Sequence, residues 1–132
     1  MKKVKRTERG WAGHFCCARD CLFRRNTLLE YEDIKIVVST VGLMLDPLNK
    51  DKYIEIGCNR YYDTMAFHSD LVSLGPEDKK YYDADTSKQV YFDSPWTINK
   101  IDADNEANDM HEVVVKEISK ELLKGNKYES NE

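Results

Sequence analysis

The chain has 132 residues, of which 41% are hydrophobic and 33% charged, and its formal net charge is -4. This length allows one compact core but not two ordinary domains. A mean hydropathy of -0.67 and the lack of a long apolar run argue against a membrane partner, and the composition excludes collagen-like, disordered and disulfide-dense proteins. The basic N-terminus lacks the apolar segment of a secretory signal, so we expect a cytoplasmic protein.

Charge is distributed unevenly along the chain. Residues 1–25 contain eight Lys or Arg and two acidic residues, a balance of +6, whereas residues 26–132 contain twelve and twenty-two, a balance of -10. Because an acidic bulk repels the phosphate backbone, we expect no duplex nucleic acid partner. A cationic cleft for one small anion remains compatible with this charge, since a cleft concentrates the local potential.

The pattern of residues predicts a disordered basic N-terminus over 1–8, a single α+β domain over 9–125 and a disordered tail over 126–132. Pro and Asn in 45–52 indicate a turn or loop, and Gly-Pro in 73–79 indicates a loop. For 60–68 a helix is the alternative to a strand. Strands are predicted from β-branched and aromatic residues over 10–23 (a pair that turns at 18–20), 34–41, 53–58, 60–68, 80–84 and 88–93.

The segment 105–124 contains neither Pro nor Gly and has the apolar spacing of a helix. Asp102 or Asp104 is expected to cap its start, and Gly125 to end it. We therefore predict an antiparallel β-sheet of about six strands with one long C-terminal helix packed on it. One sheet face would remain uncovered, which makes a homo-oligomer an expectation. The apolar stripe consists of Ala107, Met110, Val114, Ile118 and Leu122.

Four cysteines, Cys16, Cys17, Cys21 and Cys58, raise the hypothesis of a zinc site together with His14. Their spacing contains no Cys-x-x-Cys, and on one strand Cys17 and Cys21 would lie ~13 Å apart, far more than the ~4 Å between two thiolates on one zinc. A turn at 18–20 would be needed to bring them together. We expect reduced thiols, no metal and no cofactor, with zinc and a disulfide as alternatives.

Arg24, Arg25, Asn26 and Thr27 are consecutive and combine two guanidinium groups with an amide and a hydroxyl. Guanidinium forks bind anionic oxygens, and the other two side chains can hydrogen-bond a sugar or a base, so this segment is a candidate phosphate site. The alternative is that strand alternation sends one Arg to solvent and the other to a carboxylate. The candidate ligand-binding set is completed by Trp11, which could stack on a base, and by His14 and His68.

His111 lies beside the apolar stripe of the predicted helix, so its imidazole is expected to be half-buried and to point partly toward the sheet. With Glu106 it could transfer protons in a small phosphodiesterase or another hydrolase. An ordinary helix histidine satisfied by one hydrogen bond is the alternative. We find no Walker loop, His-Glu-x-x-His, Gly-x-Ser-x-Gly or dinucleotide-binding motif in the sequence.

Four segments resemble a family of short uncharacterised proteins encoded by bacteriophages and prophages: RGWAGHFCCARDCLFRRNTLLEY (9–31), IVVSTVG (36–42), IGCNRYYDTMAFH (56–68) and DNEANDMHEVVV (104–115). The resemblance brings no activity but implies an accessory or host-takeover role. Inhibitors of bacterial defence belong to this class, and some of them sequester nucleotide signals. We therefore expect an anti-defence binding protein in the host cytoplasm that sequesters a phosphorylated small ligand or blocks a host defence protein, with hydrolysis as the alternative.

Overall fold

A computed structural model of the chain describes residues 3–8, 21–56, 60–74, 79–93 and 96–128. It consists of one antiparallel sheet and one C-terminal helix, which confirms the predicted α+β class. The sheet order is β1-β2-β3-β5-β6, while β4 pairs with β3 and β7 pairs with β5. The elements are β1 Lys5–Glu8, β2 Cys21–Tyr31, β3 Ile34–Asp46, β4 Asn49–Ile54, β5 Tyr62–Leu74, β6 Lys79–Val90, β7 Thr97–Ile98 and α1 Asp104–Leu123.

The β-branched run over 34–41 forms the centre of the sheet, as predicted, but β3 continues to Asp46. The turn or loop predicted over 45–52 is confined to Pro47 and Leu48, because β4 then pairs back onto β3. The Asp46 carboxylate accepts a hydrogen bond from the Leu48 N–H (2.9 Å) and stabilises this turn. At this end of the sheet β3 lies between β2 and β4, since Met44 pairs with Cys21 on one side and with Ile54 on the other.

Gly42 is required where β3 passes Tyr62. A Cβ at this position would overlap the tyrosine ring, which is fully buried against the start of α1. The Tyr62 hydroxyl donates to Asp104 (2.6 Å) and accepts from the backbone N–H of Ala103 (3.0 Å). The residue before the helix is Ala103, which makes no side-chain cap, so the predicted capping by Asp102 or Asp104 was wrong and Tyr62 binds the helix start instead.

The predicted apolar stripe of α1 packs on the sheet and forms the main core. Gly125 ends the helix as predicted. It has a positive φ of 95°, and the N–H groups of Gly125 and Asn126 donate to the carbonyls of Leu122 and Glu121 (both 3.0 Å). The core residues of the central cluster are Leu29, Ile34, Ile36, Val38, Ala66, Val90, Val114, Val115, Ile118 and Leu122.

Both predicted disordered ends contain ordered residues. Lys5–Glu8 form β1 because they pair with β2, and the Arg6 side chain reaches Glu112 of α1. At the other end Tyr128 packs against the main core, and its carbonyl lies 2.9 Å from His68 Nε2. Of the residues 60–68, those from Tyr62 onward belong to strand β5, and none forms the alternative helix. Most of the predicted strand pair over 10–23 lies outside the described residues, and only its last three residues are seen, in β2.

The sheet face away from α1 is also buried within a single chain. Leu28, Val37, Val41 and Phe67 on this face are between 0% and 6% exposed. This sheet face is therefore not left uncovered in the way that led us to expect a homo-oligomer. Among the described residues, no helix combines the length and the apolar composition that a membrane span requires.

Candidate functional site

Arg24 and Arg25 lie on opposite faces of the sheet, because neighbouring residues of a strand alternate. Arg25 faces α1 and is 22% exposed at its side chain, whereas Arg24 is exposed on the other face. The structure therefore does not bring the two guanidinium groups together on one anion. The predicted alternative, one Arg in solvent and one on a carboxylate, describes their arrangement.

The guanidinium of Arg25 belongs to a neutral cluster of four charges with Arg6, Glu8 and Glu112. Arg25 Nη2 lies 3.1 Å from Glu112 and 3.2 Å from Glu8, and Arg6 Nη2 lies 2.7 Å from Glu112 and 2.8 Å from Glu8. Hydrogen bonding from Arg6, assisted by Arg25, lowers the pKa of Glu112 to about 2. Since two carboxylates already occupy the two guanidinium groups, this cluster is not a binding site for a further anion.

His111 is fully buried rather than half-buried, and both of its ring nitrogens are hydrogen-bonded. Nε2 lies 2.7 Å from Thr27 Oγ1, and Nδ1 lies 2.7 Å from Thr40 Oγ1. Thr27 donates its hydroxyl proton to Glu8 (2.9 Å), so it can only accept from His111, which must carry its proton on Nε2. Thr40 then donates to Nδ1 and accepts from Thr64 (2.6 Å).

These hydrogen bonds form a single directed chain from Thr64 to Glu8, with a neutral imidazole at its centre. Burial, with a contribution from Arg25, lowers the pKa of His111 to about 4. The imidazole bridges the helix and strands β2 and β3, and no face of it is accessible to a substrate. This arrangement stabilises the fold but does not present His111 as a base.

Glu106 is exposed and pairs with Lys100 (3.1 Å). At 3.6 residues per turn it lies about 140° around the helix from His111. The predicted catalytic pair is therefore separated, one residue in the interior and the other in solvent.

The remaining predicted site residues lie apart from one another. Thr27 is in the His111 chain, His68 is on the helix-facing side near Tyr128, and Asn26 is buried on the opposite face. Trp11 and His14 lie outside the described residues. Of the predicted ligand-binding set, Arg24 and Asn26 share the sheet face away from α1, whereas Arg25, Thr27 and His68 lie on the face toward it.

A small cavity of about 270 Å³ lies beside Arg24, between β2 and the β3–β4 hairpin. Arg24 and Lys50 both line it, and neither makes an ion pair or a hydrogen bond in the described part of the chain. The third charged lining residue is Asp46, which accepts the hydrogen bond of its own turn. The lining thus carries one excess positive charge in an acidic protein. Its other residues are Cys21, Leu22, Leu45 and Pro47.

Three further polar side chains adjoin Arg24 on the same face of the sheet: Asn26, Ser39 and Asp63. All are between 0% and 5% exposed, and within the described part of the chain Asn26 Oδ1, Ser39 Oγ and both carboxylate oxygens of Asp63 have no hydrogen-bond partner. Burial raises the pKa of Asp63 to about 6, although the charge of Arg60 opposes this. The N–H of the adjacent Thr64 also acts against the rise in this pKa. Its hydrogen bond is donated to the Trp96 carbonyl (2.7 Å), however, and not to the Asp63 carboxylate.

Lys50, Ser39 and Asp63 were not among the site residues predicted from the sequence. Asp63 did carry a detectable signal, because it alternates with Tyr61, Met65 and Phe67 and places a carboxylate in an otherwise apolar row. Lys50 carried none, since its proximity to Arg24 depends on the β3–β4 hairpin.

No group of three or more His, Cys, Asp or Glu side chains that could hold a metal is present within the described ranges. Cys16, Cys17 and Cys58 fall outside those ranges, so the absence of zinc stays a prediction. Comparison with protein-family models, with curated proteins and with solved structures finds no significant match for this chain. Its function must therefore be inferred from its residues and their geometry.

Proposed function

We propose that the protein binds and sequesters a small phosphorylated ligand, with the phosphate held by Arg24 and Lys50. The observation that carries this proposal is that these two cations line one cavity and have no partner among the described residues. Arg25, the other candidate guanidinium, is already occupied by Glu8 and Glu112. In this proposal Arg24 binds the anion together with Lys50 of the β3–β4 hairpin, and not together with Arg25, its neighbour in sequence.

The chemistry of this cavity suits a phosphate. The planar guanidinium of Arg24 offers two parallel donors to phosphate oxygens, and the ammonium of Lys50 adds a compact positive charge. The third charged residue, Asp46, repels an anion. Its carboxylate accepts a hydrogen bond from the Leu48 N–H, and this bond reduces the repulsion. A volume of about 270 Å³ is close to the lower limit of typical ligand pockets, about 300 Å³, which favours a small ligand over a polymer.

The resemblance to short phage proteins supplies a biological context for this binding. In that context we propose that the ligand is a signalling nucleotide of the host, and that its removal from solution weakens a host defence. Blocking of a host defence protein through the acidic surface is the other form of the same anti-defence role.

Binding is favoured over hydrolysis because the proposed proton-transfer pair is not assembled. His111 is enclosed by its threonine partners, and Glu106 is exposed beside Lys100. A ligand at Arg24 would lie on the sheet face opposite to both of these residues. We therefore expect the ligand to be recovered chemically unchanged.

Isothermal calorimetry with inorganic phosphate, pyrophosphate and mono-, di- and cyclic nucleotides tests the proposal. Replacing Arg24 or Lys50 by Ala should weaken binding by about 1.5 to 3 kcal/mol, roughly ten- to a hundred-fold, because a charge-assisted contact is lost. Lys52→Ala is the matched control, since Lys52 is an exposed lysine of the same strand that does not line the cavity. Absence of heat with every compound, or equal weakening by Lys50→Ala and Lys52→Ala, would refute the proposal.

Incubation of wild-type protein with the tightest compound for several hours, followed by mass spectrometry of the released ligand, separates sequestration from turnover. Unchanged ligand is the expected result. Conversion of many equivalents of ligand per protein chain would instead show an enzyme.

A further inference from the structure

Asn26, Ser39 and Asp63 occupy neighbouring positions on the sheet face that also carries Arg24. Asn26 on β2 lies directly opposite Ser39 on β3, and Asp63 on β5 is diagonal to Ser39, about 7 to 8 Å away between Cα atoms. Arg24, Val41 and Asp63 form the next row across the three strands, so about 10 Å separates the Cα atoms of Arg24 and Asp63. The three polar residues and Arg24 thus surround one small area of the sheet.

The atoms of this cluster that lack a partner among the described residues are all oxygens: one amide oxygen, one hydroxyl and two carboxylate oxygens. Native proteins rarely leave several buried polar atoms without partners in one place, because each costs the free energy of its lost hydration. The cluster therefore has the composition of a site that accepts hydrogen bonds. His111, which is equally buried, contrasts with it because both of its nitrogens are satisfied.

The charges around the cluster favour neutral donors over a metal cation. Arg60 acts electrostatically on the Asp63 carboxylate, and Arg24 stands at the end of the same row. Two guanidinium groups repel a divalent ion, and one carboxylate with an amide and a hydroxyl does not outweigh them. Amino and hydroxyl groups of an organic molecule donate to the same oxygens without that repulsion.

We propose that Asn26, Ser39 and Asp63 form a second subsite, which recognises neutral hydrogen-bond donors, amino or hydroxyl groups, of the ligand whose phosphate lies at Arg24. This inference rests on the proposed function, because it extends the same ligand from the cavity at Arg24 and Lys50 across the adjoining sheet face. A nucleoside phosphate carries both parts, a phosphate and a set of donors on its sugar and base. The oxygens are hidden from solvent, so the protein must open locally to admit these donors, and we expect association to be slower than diffusion.

Calorimetry with ligands that share a phosphate but differ in their donors tests the subsite. Inorganic phosphate has no such donors, ribose 5-phosphate and 2-deoxyribose 5-phosphate differ in one hydroxyl, and guanosine and inosine 5′-monophosphates differ in one amino group. Asp63→Asn and Ser39→Ala should weaken binding of the donor-bearing compounds about tenfold or more while leaving the Kd of inorganic phosphate unchanged. The hydroxyl pair and the amino pair show whether the donors come from the sugar or the base.

Ser69→Ala is the matched control for Ser39→Ala. Ser69 is also a buried serine whose hydroxyl has no partner among the residues that the structure describes, but it lies about 20 Å from Asp63 along β5. It should leave the affinity of every compound unchanged. Near-ultraviolet circular dichroism verifies that each variant keeps its tertiary packing.

The possible failures are distinguishable. If binding of all compounds depends on Arg24 and Lys50 but not on Asp63 or Ser39, the subsite is refuted and the proposed function stands. If no phosphorylated compound binds to wild type, the proposed function fails, and the subsite fails with it. Binding of Mg²⁺ alone that is lost in Asp63→Asn would refute the assignment to neutral donors.

Discussion

Asp63 lies in the interior, and no described residue hydrogen-bonds to its carboxylate, so its charge should cost stability that a neutral replacement restores. The test is Asp63→Asn, which keeps the shape of the side chain and removes the ionisation. Burial raises the pKa of Asp63 from its ordinary value of 3.8 to about 6. The native state therefore binds this proton more tightly than the unfolded chain does, and the carboxyl group lowers the free energy of unfolding as the pH rises from 3.8 through 6.

The magnitude follows from the two pKa values. The difference between 3.8 and about 6, at about 1.4 kcal/mol per pH unit, corresponds to about 3 kcal/mol once the group is fully ionised. At pH 8 the full cost applies, whereas at pH 4 only a small part of it remains. The unfolding free energy of Asp63→Asn relative to wild type should thus be about 2 to 3 kcal/mol higher at pH 8 than at pH 4.

Urea unfolding of both proteins at pH 4, 5, 6, 7 and 8 measures this difference directly. Any cost of the new Asn amide is nearly independent of pH and cancels when the two ends of the series are compared. A wild-type-to-variant difference that stays constant from pH 4 to 8 would refute the claim that Asp63 is a buried carboxylate without partners. Greater relative stability of the wild type at high pH would show that the carboxylate has a stabilising partner.

Three other expectations concern different parts of the molecule. Burial lowers the pKa of His111 from 6.5 to about 4, so the imidazole takes up a proton more readily in the unfolded chain. The free energy of unfolding should therefore fall by about 3 kcal/mol between pH 6.5 and 4. In urea titrations, His111→Gln should abolish this fall. Gly42→Ala should lower the melting temperature, with a cost of about 1 to 3 kcal/mol from overpacking against Tyr62, and an unchanged melting temperature would contradict the close approach. Purified protein should contain less than about one zinc per chain by elemental analysis, and stoichiometric zinc that is lost on replacing Cys17 and Cys21 would contradict this.

The Asp63 and His111 titrations act in opposite directions over nearly the same pH range. As the pH falls from 6.5 to 4, Asp63 regains its proton and stabilises the protein, while His111 resists protonation and destabilises it. Because the two effects partly cancel, the free energy of unfolding of the wild type should change less between pH 6.5 and 4 than either site alone would make it change. Asp63→Asn should therefore expose the acid loss that belongs to His111.

The sequence by itself determined the elements whose signal is local. A β-branched run specifies the core of β3, and an apolar stripe followed by Gly125 specifies α1, because these patterns depend only on the periodicity of a strand or a helix. The alternation of side chains along a strand also predicted, as one of two interpretations, that Arg24 and Arg25 lie on opposite faces. The other interpretation was that both bind one phosphate. The choice between them required the neighbouring carboxylates.

Only the tertiary structure decided which distant residues meet. β1 is ordered because it pairs with β2, and residues 45–52 form a hairpin because β4 finds a partner in β3. That hairpin brings Lys50 to Arg24, and the register of β2, β3 and β5 brings Asp63 beside Ser39. Shifting the register by one residue would reverse the faces of these side chains, and the register follows from pairing across the whole sheet rather than from any local segment.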